Sequence, residues 1–243
     1  MRIVKLDATD STNSYLRRLY TQETLSDFTA VVAQVQTQGR GQLGTIWESQ
    51  PSKNLTFSVY KRLVGVRPND FFYVSMTAAL ALMKTLELIS IPRLSVKWPN
   101  DIMSANKKIC GILIENVMKQ GVFESSIIGI GLNVNQTDFE KLPQASSLKR
   151  ISGIDYDMDQ ITVSIIQNLK VTFERLERNE LKSLKEEYES YLFRKNKPST
   201  FKDAEGSMFS GFIKGVSKSG KLQVLLEDQV VQHYDLKEIT LLY

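Results

Sequence analysis

The stretch from Leu94 to Asn135 constrains this chain more than any other. It holds three segments rich in β-branched residues: LSVKW (Leu94 to Trp98), KKICGILIENV (Lys107 to Val117) and FESSIIGIGLNVN (Phe123 to Asn135). The polar runs between them are short. ANKK (Ala105 to Lys108) reads as one hairpin turn and KQG (Lys119 to Gly121) as another. Strands joined by so few residues pair antiparallel, because a parallel pair needs a crossover of roughly a dozen residues or more. AVVAQVQ (Ala30 to Gln36) and LTFSVY (Leu55 to Tyr60) read as two further strands. Between them and the hairpins, Phe71 to Ile89 carries apolar residues at helical spacing, and Pro92 follows its end.

The rest of the chain divides at Lys195. Residues 136–153 carry Pro, Ser and Gly with little periodicity and read as a long loop, a kind of segment that often works in function. Asp159 to Leu192 is helical in pattern, as two helices meeting near Asn179. KNKPS (Lys195 to Ser199) is a plausible linker. Beyond it, four or five short strands with turns at KSG and EDQ give the pattern of a small β-barrel or sandwich. The expectation is an α+β chain. Residues 1–194 form a mixed, largely antiparallel sheet with flanking helices, and residues 195–243 a small β-domain.

Composition excludes several functions. A single cysteine, Cys110, permits no internal disulfide, which fits a reducing compartment. One Cys and one His (His233) cannot furnish a four-ligand zinc set, whereas a carboxylate-bound Mg²⁺ stays open. Lys and Arg number 31 against 27 Asp and Glu, and a net charge of +4 is no nucleic-acid signature. No apolar run approaches the roughly 18 residues of a membrane span. The charges of MRIVKLDATDSTN fall too early for a signal peptide. A cytoplasmic protein is expected.

Four motifs carry chemistry. GRGQLG (Gly39 to Gly44) fits G-x-G-x-x-G after a strand, but TIWESQPSKN follows where a dinucleotide fold needs a helix. It reads as a glycine-rich loop between strands, whose N–H groups form an anion nest with Arg40 adding donors, or as a tight turn. KWPND (Lys97 to Asp101) places Lys, Trp, Asn and Asp around a proline, either to face a phosphate and Mg²⁺ or as a surface turn. In KKICGILIE, Lys108 and Cys110 stand two apart, on one face of a regular strand. Gly111 and Gly129 leave room for a ligand to approach backbone. STN (Ser11 to Asn13) is a helix N-cap or a set of donors and acceptors for a polar ligand head.

Taken in order, STN…QTQGRGQLGTIW…KWPND…KKICGILIE…GIGLNVN resembles the biotin protein ligase family over essentially the whole chain. The loop LPQASSL (Leu142 to Leu148) also looks like the family's loop after the G-x-G-x-N strand. The resemblance implies a class II synthetase/biotin-lipoate ligase-like fold, with an SH3-like β-barrel behind a catalytic domain. It implies ATP and biotin as substrates with Mg²⁺, and a biotin carboxyl carrier domain as acceptor. By resemblance, Ser11, Thr12, Asn13 and Gln36 lie near biotin's ureido ring. Gly39 and Arg40 belong to a loop that closes over biotin and the adenylate. Lys108 meets the biotin carboxylate and the α-phosphate, with Gly111 and Gly129 beside the ligand. Trp47 packs by the adenine, while Lys97, Asn100, Asp101 and Asn133 lie near the nucleotide, Asp101 near its metal. Lys108 and Arg40 are the expected catalytic pair.

The resemblance has departures. The family loop often reads G-R-G-R-x-G-R, and here Gln42 and Thr45 replace the later arginines. STN starts at residue 11, so no helix-turn-helix segment is expected ahead of it, nor a nucleic-acid partner. Relatives include monomers and dimers. Lipoate ligases and octanoyl transferases share the fold, so a lipoate or octanoate acyl ligase or transferase is the alternative, with Cys110 as its candidate thiol.

Overall fold

The computed structural model describes residues 1–67, 70–119, 122–140 and 142–243. Its first half runs β1 (Ile3–Thr9), α1 (Thr12–Gln22), β2 (Ala30–Gln36), β3 (Leu55–Arg62) and α2 (Phe72–Leu88). Then come β4 (Leu94–Lys97), β5 (Asp101–Ser104), β6 (Lys107–Lys119) and β7 (Val122–Leu132). Three helices follow, α3 (Leu148–Ser152), α4 (Met158–Glu177) and α5 (Leu181–Ser190). The chain closes with β8 (Pro198–Asp203), β9 (Met208–Val216), β10 (Leu222–Leu226), β11 (Val231–Tyr234) and β12 (Ile239–Leu242).

Seven strands form one sheet in the order β1-β2-β3-β7-β6-β5-β4. Among the described strand pairs of this sheet only β1 and β2 run parallel, joined by α1 as crossover, so the sheet is mixed and largely antiparallel as expected. β1 and β5 were not foreseen. β1 is an edge strand whose half-exposed residues mute the apolar signal, and β5 has four residues directly after a proline-containing turn. The ANKK hairpin turns on Ala105 and Asn106, both at positive φ (50° and 63°), as a two-residue primed turn requires. The KQG turn falls partly outside the described residues.

The two faces of this sheet differ. On one face α2 packs with α4 and α5, and alternate residues such as Val59, Ile112, Ile128 and Ile130 join its core. On the other face a small cluster of Leu16, Leu25, Val31, Tyr60 and Ile127 sits beneath α1. Farther along that second face, the positions matching Ile127 are Gly129 and Gly131 on β7, with Gly111 opposite on β6. A strand repeats its facing every two residues. Glycine at three such positions removes the side chains that would fill the layer, and a hollow results.

The remaining departures are local. The expected loop at 136–153 contains α3, capped by Ser147, whose hydroxyl accepts from the Arg150 N–H; its Lys141 lies outside the described residues. The KNKPS linker runs directly into β8, with Pro198 at the first strand position, where a missing N–H costs least. The strands β11-β10-β9-β8-β12 form an antiparallel five-stranded sheet, consistent with an SH3-like fold. No pairing between β11 and β12 closes it into a ring among the described residues. No helix in the described residues is long and apolar enough to cross a membrane.

Candidate active site

A cavity of ≈ 440 Å³ occupies the hollow above the three glycines. Each glycine seats a particular neighbour. A Cβ at Gly129 would lie 2.5 Å from Asn13 Oδ1, and one at Gly131 would lie 2.3 Å from Trp47 Cε2. One at Gly111 would meet Trp47 at 3.2 Å and Lys108 Nζ at 3.4 Å. The floor is therefore shaped to take an amide at one end and an indole and an ammonium at the other.

The first end is a polar network. Thr12 donates to Gln36 Oε1 from its backbone N–H (2.8 Å) and its hydroxyl (3.1 Å). Ser58 Oγ lies 2.7 Å from Thr12 Oγ1 and 2.6 Å from Asn13 Oδ1. Asn13 Nδ2 donates to Glu115 Oε2 at 2.9 Å and, more weakly, to the Leu113 carbonyl at 3.3 Å. Ser11 occupies the N-cap position of α1, but its side chain makes no capping hydrogen bond, and it lines the cavity instead.

The second end is charged. Lys108 Nζ forms a 2.7 Å ion pair with Asp101 Oδ1 and stands 5.7 Å from the centre of the Trp47 ring. Lys97 Nζ sits 4.6 Å over the ring of Tyr243 and within 3.4 Å of its hydroxyl. Burial lowers the Lys97 pKa from the ordinary lysine value; Lys108 adds to this effect and Asp101 opposes it. Asn100 lines the same end and donates to the Ile112 carbonyl at 2.9 Å. Trp47 Nε1 is buried without a hydrogen-bond partner among the described residues. Thr240 of β12 also reaches the lining, so the C-terminal sheet contributes to the wall. That sheet is held close by Trp98 Nε1, which donates to the Gly220 carbonyl at 2.8 Å.

The lining holds three cationic side chains, Arg40, Lys97 and Lys108, against one carboxylate, Asp101. The balance favours an anion. Among the described residues no group of three His, Cys, Asp or Glu side chains is placed to hold a metal. Mg²⁺ often relies on one or two carboxylates plus substrate phosphates, and Asp101 with a nucleotide meets that donor requirement.

A β-bulge decides which side chain enters the cavity. Asp101 pairs with Gly111 and Ile102 with Cys110, but Met103 pairs with Lys108, leaving Ile109 as the extra residue. The expectation that Lys108 and Cys110 share a face is overturned, since a bulge adds one residue and re-aims its neighbours. Lys108 shares the cavity face with Gly111, while Cys110 is fully buried in the core and burial pushes its thiol pKa far up. Such a thiol is no nucleophile at neutral pH.

The glycine-rich segment also differs from the expected anion nest. Gly41 N donates to the Thr45 carbonyl and Trp47 N to that of Gly39, so the loop spends these donors on a small hairpin of its own. Leu43 at its tip takes a left-handed conformation (φ 58°) and is exposed. Arg40 lines the cavity, but its guanidinium is bonded to Ser14 Oγ (3.1 Å) and Glu115 Oε2 (3.2 Å).

Twelve expected residues line the cavity: Ser11, Thr12, Asn13, Gln36, Arg40, Trp47, Lys97, Asn100, Asp101, Lys108, Gly111 and Gly129. Gly39 and Asn133 do not. Gly39 lies beneath the lining, where a Cβ would strike the Trp47 carbonyl at 2.4 Å. Asn133 is buried and donates to the Ser146 carbonyl; Ser146 N in turn donates to the Lys108 carbonyl, and Lys108 N to that of Gln144. It braces the loop that holds the Lys108 backbone. Sequence reasoning missed Ser58, Glu115, Gly131 and Thr240. Their partners lie far away in the chain, though the alternation of Gly129 and Gly131 offered a signal for the last glycine.

Several known proteins are similar to this chain. The bifunctional ligase/repressor BirA of Escherichia coli is 28% identical over 241 residues, covering 98% of this chain and 74% of that protein. The biotin--[acetyl-CoA-carboxylase] ligase of Mycobacterium tuberculosis is 32% identical over 165 residues, 67% of this chain and 60% of its own. Among solved structures, a biotin protein ligase from Aquifex aeolicus in complex with biotin and ATP superposes with a TM-score of 0.80 at 27% identity, covering 99% of this chain and 98% of that one. The biotin/lipoate A/B protein ligase family model matches residues 6–133, from β1 to the end of the glycine floor. Because that model spans more than half of the chain, the chain belongs to the biotin/lipoate A/B protein ligase family.

Proposed function

We propose that this protein is an ATP-dependent biotin protein ligase. The observation that carries the reading is one cavity with a polar network at one end and a cationic cluster at the other. Ser11, Thr12, Asn13, Gln36 and Ser58 offer the mixed donors and acceptors that a ureido ring needs. Lys97 and Lys108 face the groups that carry negative charge in both reactants, while Arg40 is tied to Glu115 beside the polar end. The Trp47 indole, with its unpartnered N–H, lies where an adenine would stack.

The chemistry follows from charge. A carboxylate must approach a phosphate, and fixed cations offset their repulsion most strongly where water is excluded. In the first step a biotin carboxylate oxygen bonds to the α-phosphorus, the bond to the β-phosphate oxygen breaks, and pyrophosphate leaves. Lys108 holds both oxygens at that junction once it exchanges Asp101 for substrate. Asp101 is then the residue that would hold Mg²⁺, which when bound neutralises phosphate charge. In the second step the amine of an acceptor lysine attacks the biotinyl carbonyl carbon, the bond to AMP breaks, and the amine gives up a proton. The acceptor in this reading is a biotin carboxyl carrier domain. Residues 1–194 act as the catalytic domain, and residues 195–243 as an SH3-like domain that lends Thr240 to its wall. A cytoplasmic setting accords with the need for ATP and the carrier.

The core position of Cys110 speaks against an octanoyl transferase that works through a thioester. Intact-mass analysis of a biotin carrier domain tests the reading, after incubation with the protein, ATP, Mg²⁺ and biotin, lipoate or octanoate in separate tubes. A single biotinyl addition that requires ATP is expected. A lipoyl or octanoyl adduct in its place would overturn the assignment of substrate.

A further inference from the structure

Glu115 has no role in the steps above, yet it touches both the polar end of the cavity and the glycine-rich loop. It stands on β6 opposite Ile127, on the same face as the glycine floor. Its carboxylate takes Asn13 Nδ2 at 2.9 Å and Arg40 Nη2 at 3.2 Å on one oxygen, and Arg17 Nη2 lies 3.9 Å from the other. Its side chain is only 20% exposed.

A carboxylate only accepts hydrogen bonds. It therefore requires the Asn13 amide to present its nitrogen to Glu115 and its oxygen to Ser58. An amide fixed at both ends cannot flip, and the side it offers to a ligand is set. The same oxygen anchors Arg40, the one arginine of the glycine-rich hairpin. A ligand that shifts Asn13 must disturb the Arg40 contact, and a movement of the hairpin must disturb Asn13.

We infer that Glu115 is a positioning residue that orients Asn13 for the ureido-type ring and couples that end of the cavity to Arg40 of the loop. The substrate side of this inference rests on the biotin ligase reading; the hold on Arg40 does not.

Two variants test it. Glu115→Ala removes both contacts. Glu115→Gln is nearly isosteric: its oxygen, in the place of Oε2, can still accept from both Asn13 and Arg40, but without the negative charge that strengthens each bond. Steady-state kinetics and limited trypsin cleavage after Arg40, located by mass spectrometry, are the readouts. In Glu115→Ala the KM for biotin is expected to rise about tenfold with kcat within about twofold, the pattern of a substrate contact weakened in ground state and transition state alike because the Asn13 amide is no longer held in place. Cleavage at Arg40 in the ligand-free protein should speed up by about twofold to fivefold, in keeping with a partly exposed ion pair. Biotin should slow that cleavage in the unsubstituted protein and much less in the variant. Glu115→Gln should fall between the two, which a general loss of folding would not produce. An unchanged KM in both variants, or unchanged cleavage in both, overturns the inference. If the unsubstituted protein forms no biotinyl product, the ligase reading fails by itself, and the ligand-free cleavage comparison still decides whether Glu115 holds Arg40.

Discussion

Gly129 and Gly131 lie two residues apart on one strand face, yet alanine at each should damage a different substrate. Neither glycine has a positive φ, so the backbone accepts alanine and the damage is to the neighbour alone. At Gly129 the new methyl would stand 2.5 Å from Asn13 Oδ1 and 3.0 Å from its Cγ. Ordinary contact begins near 3.4 Å, so the amide must retreat by about 1 Å, and hydrogen bonds weaken steeply over such a displacement. The 2.6 Å contact with Ser58 is lost, and so is one of the bonds to Glu115 and Leu113. At about 1 kcal/mol for each bond, the loss is about 2 kcal/mol, or roughly thirtyfold in affinity for the ring that Asn13 would meet in the proposed reading. At Gly131 the methyl would stand 2.3 Å, 2.5 Å and 2.8 Å from three atoms of the Trp47 indole, which must lift off the floor. Its surface for stacking is displaced, and overpacking of this kind costs ~1–3 kcal/mol. Pyrophosphate release measured with each substrate varied in turn separates the two. Gly129→Ala should raise the KM for biotin with little change for ATP, and Gly131→Ala the reverse. Equal effects of both substitutions on both substrates would refute the assignment of the two ends.

Three further outcomes are expected. Lys97 gives up its proton below the ordinary lysine value of 10.5 because burial disfavours its charged form. Its attraction for phosphate is thus present at low pH and is lost as pH rises through that lowered value. The alkaline fall in kcat/KM for ATP should begin below pH 10.5 and move upward in Lys97→Arg; superimposable profiles would remove Lys97 from the nucleotide end. Lys61 is 3% exposed and held by Asp27 (2.6 Å) and Glu177 (2.7 Å), both of which reach solvent. Lys61→Met should cost about 2 kcal/mol in urea unfolding, less than a fully buried pair because the carboxylates left behind remain hydrated. Cys110→Ala should keep biotin transfer near its original rate and lower stability by ~1 kcal/mol through a small core void, and loss of transfer with the fold intact would restore the thiol as a candidate.

Much of the architecture was legible because burial writes its period into the chain. β2, β3 and α2 follow the expected strands and helix, and α4 and α5 meet around Asn179, which takes a left-handed φ of 60°. What escaped had a weak or misleading period. β1 is a sheet edge, β5 is four residues long, and α3 hides five helical residues in a polar segment. The Lys108–Cys110 reading failed for a sharper reason: strict alternation is valid only while the ladder is regular, and the unpaired Ile109 interrupts it. The candidate site divides in the same way. Residues grouped in motifs were found, because a short motif brings its members together locally. Ser58 and Glu115 meet Asn13 across 45 and 102 residues of sequence, where only the paired register of β3, β7 and β6 creates the neighbourhood.

The lodging of Trp47 makes the molecule its own spectroscopic probe. The chain has two tryptophans, and they sit in unlike places. The Trp98 N–H is already committed to Gly220, at the junction with the C-terminal sheet. That of Trp47 has no partner among the described residues and lies in the cavity wall, with its ring on two glycines. Indole emission responds to the polarity and hydrogen bonding around the ring. With Trp98 replaced by Phe, the remaining tryptophan fluorescence would report events at the Trp47 end of the cavity alone. With Trp47 replaced, it would report the seating of one sheet on the other. Occupancy of the cavity and docking of the two sheets then become separate optical signals from the same protein, with no label attached.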